Sequence, residues 1–391
     1  MVVRGVRGGV GLTVSPDTLM RSLWATSIGL VAVLVIAIAA AAGSVRTAGD
    51  ASSLREDVDA LVARGAPGVV LLVRDGRTTR RFTAGYGDVA RKQPMLSSDH
   101  FKIASLTKSY TAAVVLQLAD EGKLSLGDTV QRWLPGLVPN GDRITVRELL
   151  NHTSGVPEYE NDARFMKPYL NGHFGHYWAP RQLVRLAVSH KPLFAPGQTK
   201  ISAYSNTNYV LAGLIVEAVT GESIGDELQR RIFGPLRLED SYYPTKPGLR
   251  RPFAHGYMVL EKPPALDVTG LSPSLSPASG TIVSTADDVA DFYRALLTGR
   301  LLPAALLRQM NTTISEGSKV DIPGQRYGLG LERFPTACGP AWGHNGVIPG
   351  YVTYAFSTAN GRRQAVLMVN HDAESLPRPA AKLYFKVLKR A

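Results

Sequence analysis

The chain has 391 residues, of which 45% are hydrophobic and 19% charged, and a formal net charge of +12. That composition excludes a collagen-like, coiled-coil or wholly disordered protein, and the length suffices for one large domain or two lobes around a sizeable core. The positive charge is spread, apart from a small cluster at Lys382, Lys386, Lys389 and Arg390; without a basic stripe no nucleic-acid partner is expected, and the charge suits work near an anionic surface.

Residues 1–22 form a basic leader carrying Arg4, Arg7 and Arg21. Residues 23–43 follow as an uncharged run rich in Val, Ile, Leu and Ala. About twenty apolar residues can span a bilayer, and preceding arginines hold the N-terminal end in the cytoplasm. The small residues Ala39-Ala40-Ala41-Ala42-Gly43-Ser44 suit a signal-peptidase cut. Both a cleaved signal peptide and an uncleaved transmembrane anchor fit, and Met20-Arg21 offers an alternative start. Residues 44–50 read as a linker. Residues 51–391 are expected as an extracytoplasmic domain, secreted or membrane-anchored.

Within that domain, residues 51–64 have the pattern of a surface helix. Residues 68–73 and 78–86 read as strands around the turn Asp75-Gly76, and residues 351–356 and 364–370 as strands around Asn360-Gly361. Residues 379–389 predict a closing helix. Strands at both ends with helix signals between them predict an α+β fold, in which an antiparallel sheet is flanked by helices and a mostly helical second lobe covers about 116–274. The Pro- and Ser-rich stretch 263–279 would return the chain from that lobe to the sheet.

Chemistry first shows at Ser105-Leu106-Thr107-Lys108, which opens the apolar helix that ends at Gly122. Positions three apart share a helix face, so hydroxyl and amine can meet. A serine hydroxyl attacks only when a neighbour takes its proton, and a lysine sealed among apolar residues gains in its neutral form. Lys108 is the only lysine in the chain with a serine three positions earlier. Tyr204-Ser205-Asn206 stands at the entrance of a second apolar helix, although Tyr-x-Asn also occurs at Tyr159-Glu160-Asn161 and Tyr169-Leu170-Asn171. Trp342-Gly343-His344-Asn345-Gly346-Val347 precedes a strand, and a glycine there lets a ligand approach the backbone closely. Cys338, the single cysteine, lies in Thr336-Ala337-Cys338-Gly339-Pro340, a turn rather than a nucleophile site, and it excludes a disulfide and cysteine–metal chemistry. His173, His176, Glu158 and Glu160 have no recognised metal spacing, and His152 reads as a loop hydrogen-bonding residue. No cofactor or metal is expected.

Taken together, Ser-x-x-Lys, Tyr-x-Asn and His-x-Gly resemble the motifs of the penicillin-recognising serine hydrolases. The likeness is to the branch holding class C β-lactamases, D-alanyl-D-alanine carboxypeptidases and related esterases. Segments such as Asn151-His152-Thr153-Ser154-Gly155 and Tyr327-Gly328-Leu329-Gly330 fit in the family's order, from about residue 54 to 387. The resemblance implies a β-lactamase/transpeptidase-like fold and an acyl-enzyme route. In it Ser105 attacks, Lys108 and Tyr204 share the proton transfers, and His344 supports Tyr204 where relatives carry lysine. Asn206, Asn345, Gly346 and Val347 bind substrate, and the backbone N–H groups of Ser105 and Val347 form the oxyanion hole. The substrate implied is a small peptide or ester, peptidoglycan-derived, with β-lactams as acylating ligands. A D-alanyl-D-alanine carboxypeptidase-like peptidase leads; an esterase, a class C-like β-lactamase and a non-catalytic penicillin-binding receptor are the alternatives. Asn345 in place of the usual threonine weakens recognition of a free C-terminal carboxylate, and His344 in place of lysine points away from a β-lactamase.

Overall fold

The structure, a computed structural model, describes residues 49–197, 202–258, 265–315, 324–336 and 339–371, and the backbone of residues 2–3 and 12–13. The apolar run 23–43, Cys338 and the expected helix 379–389 lie outside the described residues. Among the described residues, no helix is long and apolar enough to cross a membrane.

In chain order, α1 (Gly49–Ala63) precedes the hairpin of β1 (Gly68–Asp75) and β2 (Thr78–Asp88). From the middle of the chain come α2 (Thr107–Asp120), α3 (Asn206–Thr220) and α4 (Ala286–Leu297). The strands β3 (Glu332–Phe334), β4 (Ala341–Ile348), β5 (Tyr351–Thr358) and β6 (Arg363–Val369) follow.

Among the described residues the main sheet has nine strands, and β3-β4-β5-β6-β1-β2 run consecutively through its centre. All neighbours are antiparallel. β6 pairs with β1 from Arg363 opposite Asp75 to Val369 opposite Val69, so the two ends of the domain are joined side by side. Gly76 (φ +59°) and Gly361 (φ +65°) supply the left-handed backbone that the two hairpin turns need.

Alternation along β1 divides the core. Val69 and Leu71 face Leu54, Val58 and Leu61 of α1, whereas Val70 and Leu72 face the larger cluster that holds α2, α3 and α4. Because both faces are covered, the strand reads as an unbroken apolar run rather than as an alternating one. α2 is buried on nearly every side, which is why its sequence lacks a polar stripe. Arg74 bonds Asp291 at 2.6 Å and Gln364 Nε2 donates to the Ala290 carbonyl at 2.7 Å, fixing α4 to the sheet. The sheet and the helical side therefore meet at the N-terminal end of α2, next to β4.

Candidate active site

Ser105 lies in a single 3₁₀ turn, Ala104–Leu106, that leads into α2. The helix expected to open at Ser105 thus begins two residues later, because the preceding backbone cannot be helical. Ala104 has φ +50°, a left-handed conformation unusual for a residue with a side chain. Ile103 is pinned on both sides: its N–H donates to the Ile282 carbonyl at 2.9 Å, and its carbonyl accepts from Thr353 Oγ1 at 2.9 Å. These bonds hold the turn and set Ser105 at the cleft.

Lys108, one helical turn on, is fully buried. Its Nζ donates to Ser105 Oγ at 3.0 Å, Asn206 Oδ1 at 2.7 Å and the Ser279 carbonyl at 3.0 Å. All three donors are used and no carboxylate is among the partners. Burial pulls the amine down to about 7, against an upward pull from Glu158, Glu160 and Glu332.

Tyr204 and Asn206 sit at the entrance of α3, as the flanking sequence indicates. Burial lifts the Tyr204 phenol well above its ordinary value, against a downward pull from the nearby Ser105 hydroxyl. The residue as a whole is nevertheless 42% exposed, so its oxygen points inward while the remainder lines an open cleft. Lys108 Nζ lies 4.8 Å from the centre of its ring. Asn206 is engaged at both ends of its amide, since Nδ2 donates to Glu160 Oε1 at 3.0 Å. Of the other two Tyr-x-Asn tripeptides, Tyr159–Asn161 forms a 3₁₀ turn that meets the site through Glu160 rather than through its Tyr and Asn, and Tyr169 is buried in the core.

The third motif is itself the strand β4 rather than a loop before one. Its residues alternate. Gly346 faces Ser105, and a side chain there would come within 2.9 Å of the Ser105 nitrogen and 2.6 Å of the Ile103 carbonyl. His344 shares that face. Asn345 and Val347 pair with Tyr354 and Val352, which belong to the α1 face, so the Asn345 side chain leaves on the side away from Ser105. Asn345 presents its backbone to the cleft edge instead. Its N–H points to the β3 side, donating to Glu332 Oε2 at 3.1 Å. Backbone direction repeats every two residues, so the Val347 N–H points to the same edge, beyond the end of β3 and beside Ser105.

His344 is fully buried and neutral, with burial and then Lys108 pushing it down to about 3. Its Nδ1 meets the Asn345 carbonyl, which can only accept, so the ring proton is there. Nε2 therefore accepts from the Tyr327 hydroxyl at 3.0 Å. The resemblance implies that His344 supports Tyr204; no direct bond joins them. The His344 ring centre is 6.4 Å from that of Tyr204, and the nitrogen that could have served is taken by Tyr327.

His152 is the hydrogen-bonding loop residue expected from the sequence, but its place in this site, like those of Glu158, Glu160 and Tyr327, is not legible there. His152 packs against Tyr204, with ring centres 4.4 Å apart, and against Tyr327 at 4.8 Å. Its Nδ1 accepts from the Ser205 N–H and from Asn208 Nδ2. Glu158 accepts the Asn206 N–H, and burial together with neighbouring Glu160 pushes its carboxyl upward. The available signal was the recurrence of Asn151–Gly155 and Tyr327–Gly330 as family segments, which marks position but not role. Among the described residues no group of three or more His, Cys, Asp or Glu could hold a metal.

This arrangement, a serine hydrogen-bonded to a dry amine, with a phenol nearby, beside a strand edge with outward N–H groups, has the form of a serine acyl-transfer site. Comparisons with known proteins agree. The family described as Beta-lactamase matches residues 54–389, and the chain belongs to that family. A D-stereospecific amidohydrolase from Streptomyces sp. superposes with a TM-score of 0.75 at 40% identity, covering 82% of this chain and 94% of that one. The D-amino acid amidase from Ochrobactrum anthropi SV3, complexed with L-phenylalanine amide, gives 0.77 at 30% identity over 88% and 98%. Penicillin-binding protein 4* of Bacillus subtilis is 28% identical over 326 residues, 79% of this chain and 69% of that protein. The chain is a serine hydrolase of the β-lactamase fold.

Proposed function

We propose that the chain hydrolyses amides or short peptides of D-amino acids through an acyl-enzyme on Ser105. The observation that carries this is the 3.0 Å contact between Lys108 Nζ and Ser105 Oγ, with the amine dry and brought near neutrality. Neutral Lys108 takes the Ser105 proton as Oγ bonds to the substrate carbonyl. The oxyanion is received by the N–H groups of Ser105 and Val347. Tyr204 passes a proton to the departing amine as the C–N bond breaks and recovers one from protonated Lys108, so both groups return to their starting states. Water then attacks the ester, giving the free acid and restoring Ser105. Glu160, held on the Asn206 amide, adds a carboxylate beside the Ser105–Lys108 pair, a charge suited to a substrate ammonium. The likeness to a D-stereospecific amidohydrolase supports the same substrate class.

The test is hydrolysis of paired D- and L-aminoacyl p-nitroanilides. Turnover of the D forms, absent in Ser105→Ala, is expected; L preference or activity surviving in Ser105→Ala refutes the assignment.

A second reading, a D-alanyl-D-alanine carboxypeptidase acylated by β-lactams, is favoured by the relation to penicillin-binding protein 4*. Covalent labelling of Ser105 by a fluorescent penicillin, together with release of D-alanine from a D-alanyl-D-alanine peptide, would select it. For either substrate class we place the domain outside the cytoplasm, on the strength of residues 23–43; protease accessibility of intact cells tests that placement.

A further inference from the structure

Next to the Ser105 cleft a narrow crevice opens to solvent, lined by Lys102, Lys246, Leu271, Leu275, Thr281 and Ile348. Its walls are continuous with the site. Gly280, beside Thr281, packs on Ala104, and Ile348 follows the Val347 N–H along β4. Lys102 sits at its base on the short strand Phe101–Lys102, paired with Val283–Ser284. It is 7% exposed. An ammonium has three N–H donors, and the Leu271 carbonyl takes one at 2.9 Å. The Tyr351 ring lies at 5.9 Å. Among the described residues no carboxylate is in ion-pair contact with Lys102, and Asp267 attracts it only from farther away, although a buried charge ordinarily has a close partner of opposite sign. The exposed Lys246 adds a second positive charge at the rim. Burial weakens the hold of Lys102 on its proton, to about 8, and an arriving anion would reverse that.

The direction of the substrate decides which part reaches this crevice. Tyr204, which serves the leaving amine, lies beside His344 at one end of the exposed β4 edge. Ile348 and the crevice lie at the other end, so the acyl residue extends toward them. We propose that Lys102 and Lys246 form a carboxylate subsite for the side chain of the acyl residue, making acidic D-aminoacyl amides and peptides the preferred substrates. This rests on the acyl-enzyme assignment above and names its substrate class.

The experiment compares D-glutamyl and D-glutaminyl p-nitroanilides, which differ in side-chain charge but hardly in shape. The wild type is expected to favour D-glutamyl about tenfold or more through KM, as a charge-assisted hydrogen bond in a buried site would give. Lys102→Met should erase the preference by raising KM for D-glutamyl far more than for D-glutaminyl, and Lys246→Ala should reduce it a few-fold. Equal or reversed preference in the wild type overturns the subsite, whether or not Lys102→Met folds. Binding of D-glutamate and D-glutamine to Ser105→Ala, measured by calorimetry, separates the two assignments. Tighter binding of D-glutamate without turnover of either anilide by the wild type would retain the subsite and reject the hydrolase assignment. No difference in binding would reject the subsite alone.

Discussion

Lys108 Nζ lies 3.0 Å from Ser105 Oγ and donates to it, so in the resting arrangement the amine holds a proton that it must lose before it can accept one from the serine. With the amine brought down to about 7, kcat/KM should rise with pH through that region and level off above it. His344, down at about 3, contributes no charge change there. A pH series from 5 to 9 on a D-aminoacyl p-nitroanilide checks this. A profile flat across pH 7 would remove Lys108 as the base.

The same shift affects stability. Between about 7 and the ordinary lysine value the unfolded chain binds the Lys108 proton and the folded one does not, so this group makes stability increase with pH over that interval. Lys108→Met should flatten that part of the curve in denaturant titrations at pH 7 and pH 9.

Tyr204→Phe removes the phenol beside Ser105, the general acid proposed for the departing amine. General acid catalysis is worth about 10²–10⁴. Amide hydrolysis should fall by that factor, and hydrolysis of a p-nitrophenyl ester, whose leaving group needs no proton, should fall far less. Similar losses on both substrates would show that Tyr204 acts on Ser105 instead.

Gly346→Ala should cost about 10²–10³ in kcat with the fold intact, the loss associated with one oxyanion donor. The added methyl would meet the Ile103 carbonyl and the Ser105 nitrogen, forcing β4 away from the serine. Circular dichroism and kcat measured together check both halves of that expectation.

Tyr327→Phe leaves the buried His344 Nε2 without its donor. An unsatisfied buried acceptor costs about 1–3 kcal/mol, readable as a lowered midpoint in urea.

The two hairpins were legible in the sequence because Asp75-Gly76 and Asn360-Gly361 announce their turns locally, and Ser105 with Lys108 because helical spacing alone brings them together. The face of Asn345 was not, since a motif gives an order of residues, whereas the direction of a side chain follows from where the strand begins its pleat. Nor was the link from Tyr327 to His344: Tyr327 lies on the short strand Arg326–Tyr327, beyond β3 from β4, so the two side chains, 17 apart in the chain, meet across β3 only once the register of all three strands is set. Glu160 draws notice in the sequence only as a metal ligand to be weighed beside His173 and His176, yet it accepts from Asn206, 46 residues away.

The left-handed backbone at Ala104 depends on two anchors from remote parts of the chain, Ile282 and Thr353. A nascent or partly opened polypeptide lacking either anchor would let the turn relax, and its serine would be as unreactive as any other alcohol. Reactivity toward an acylating reagent thus becomes a gauge of complete assembly, extinguished before secondary structure melts.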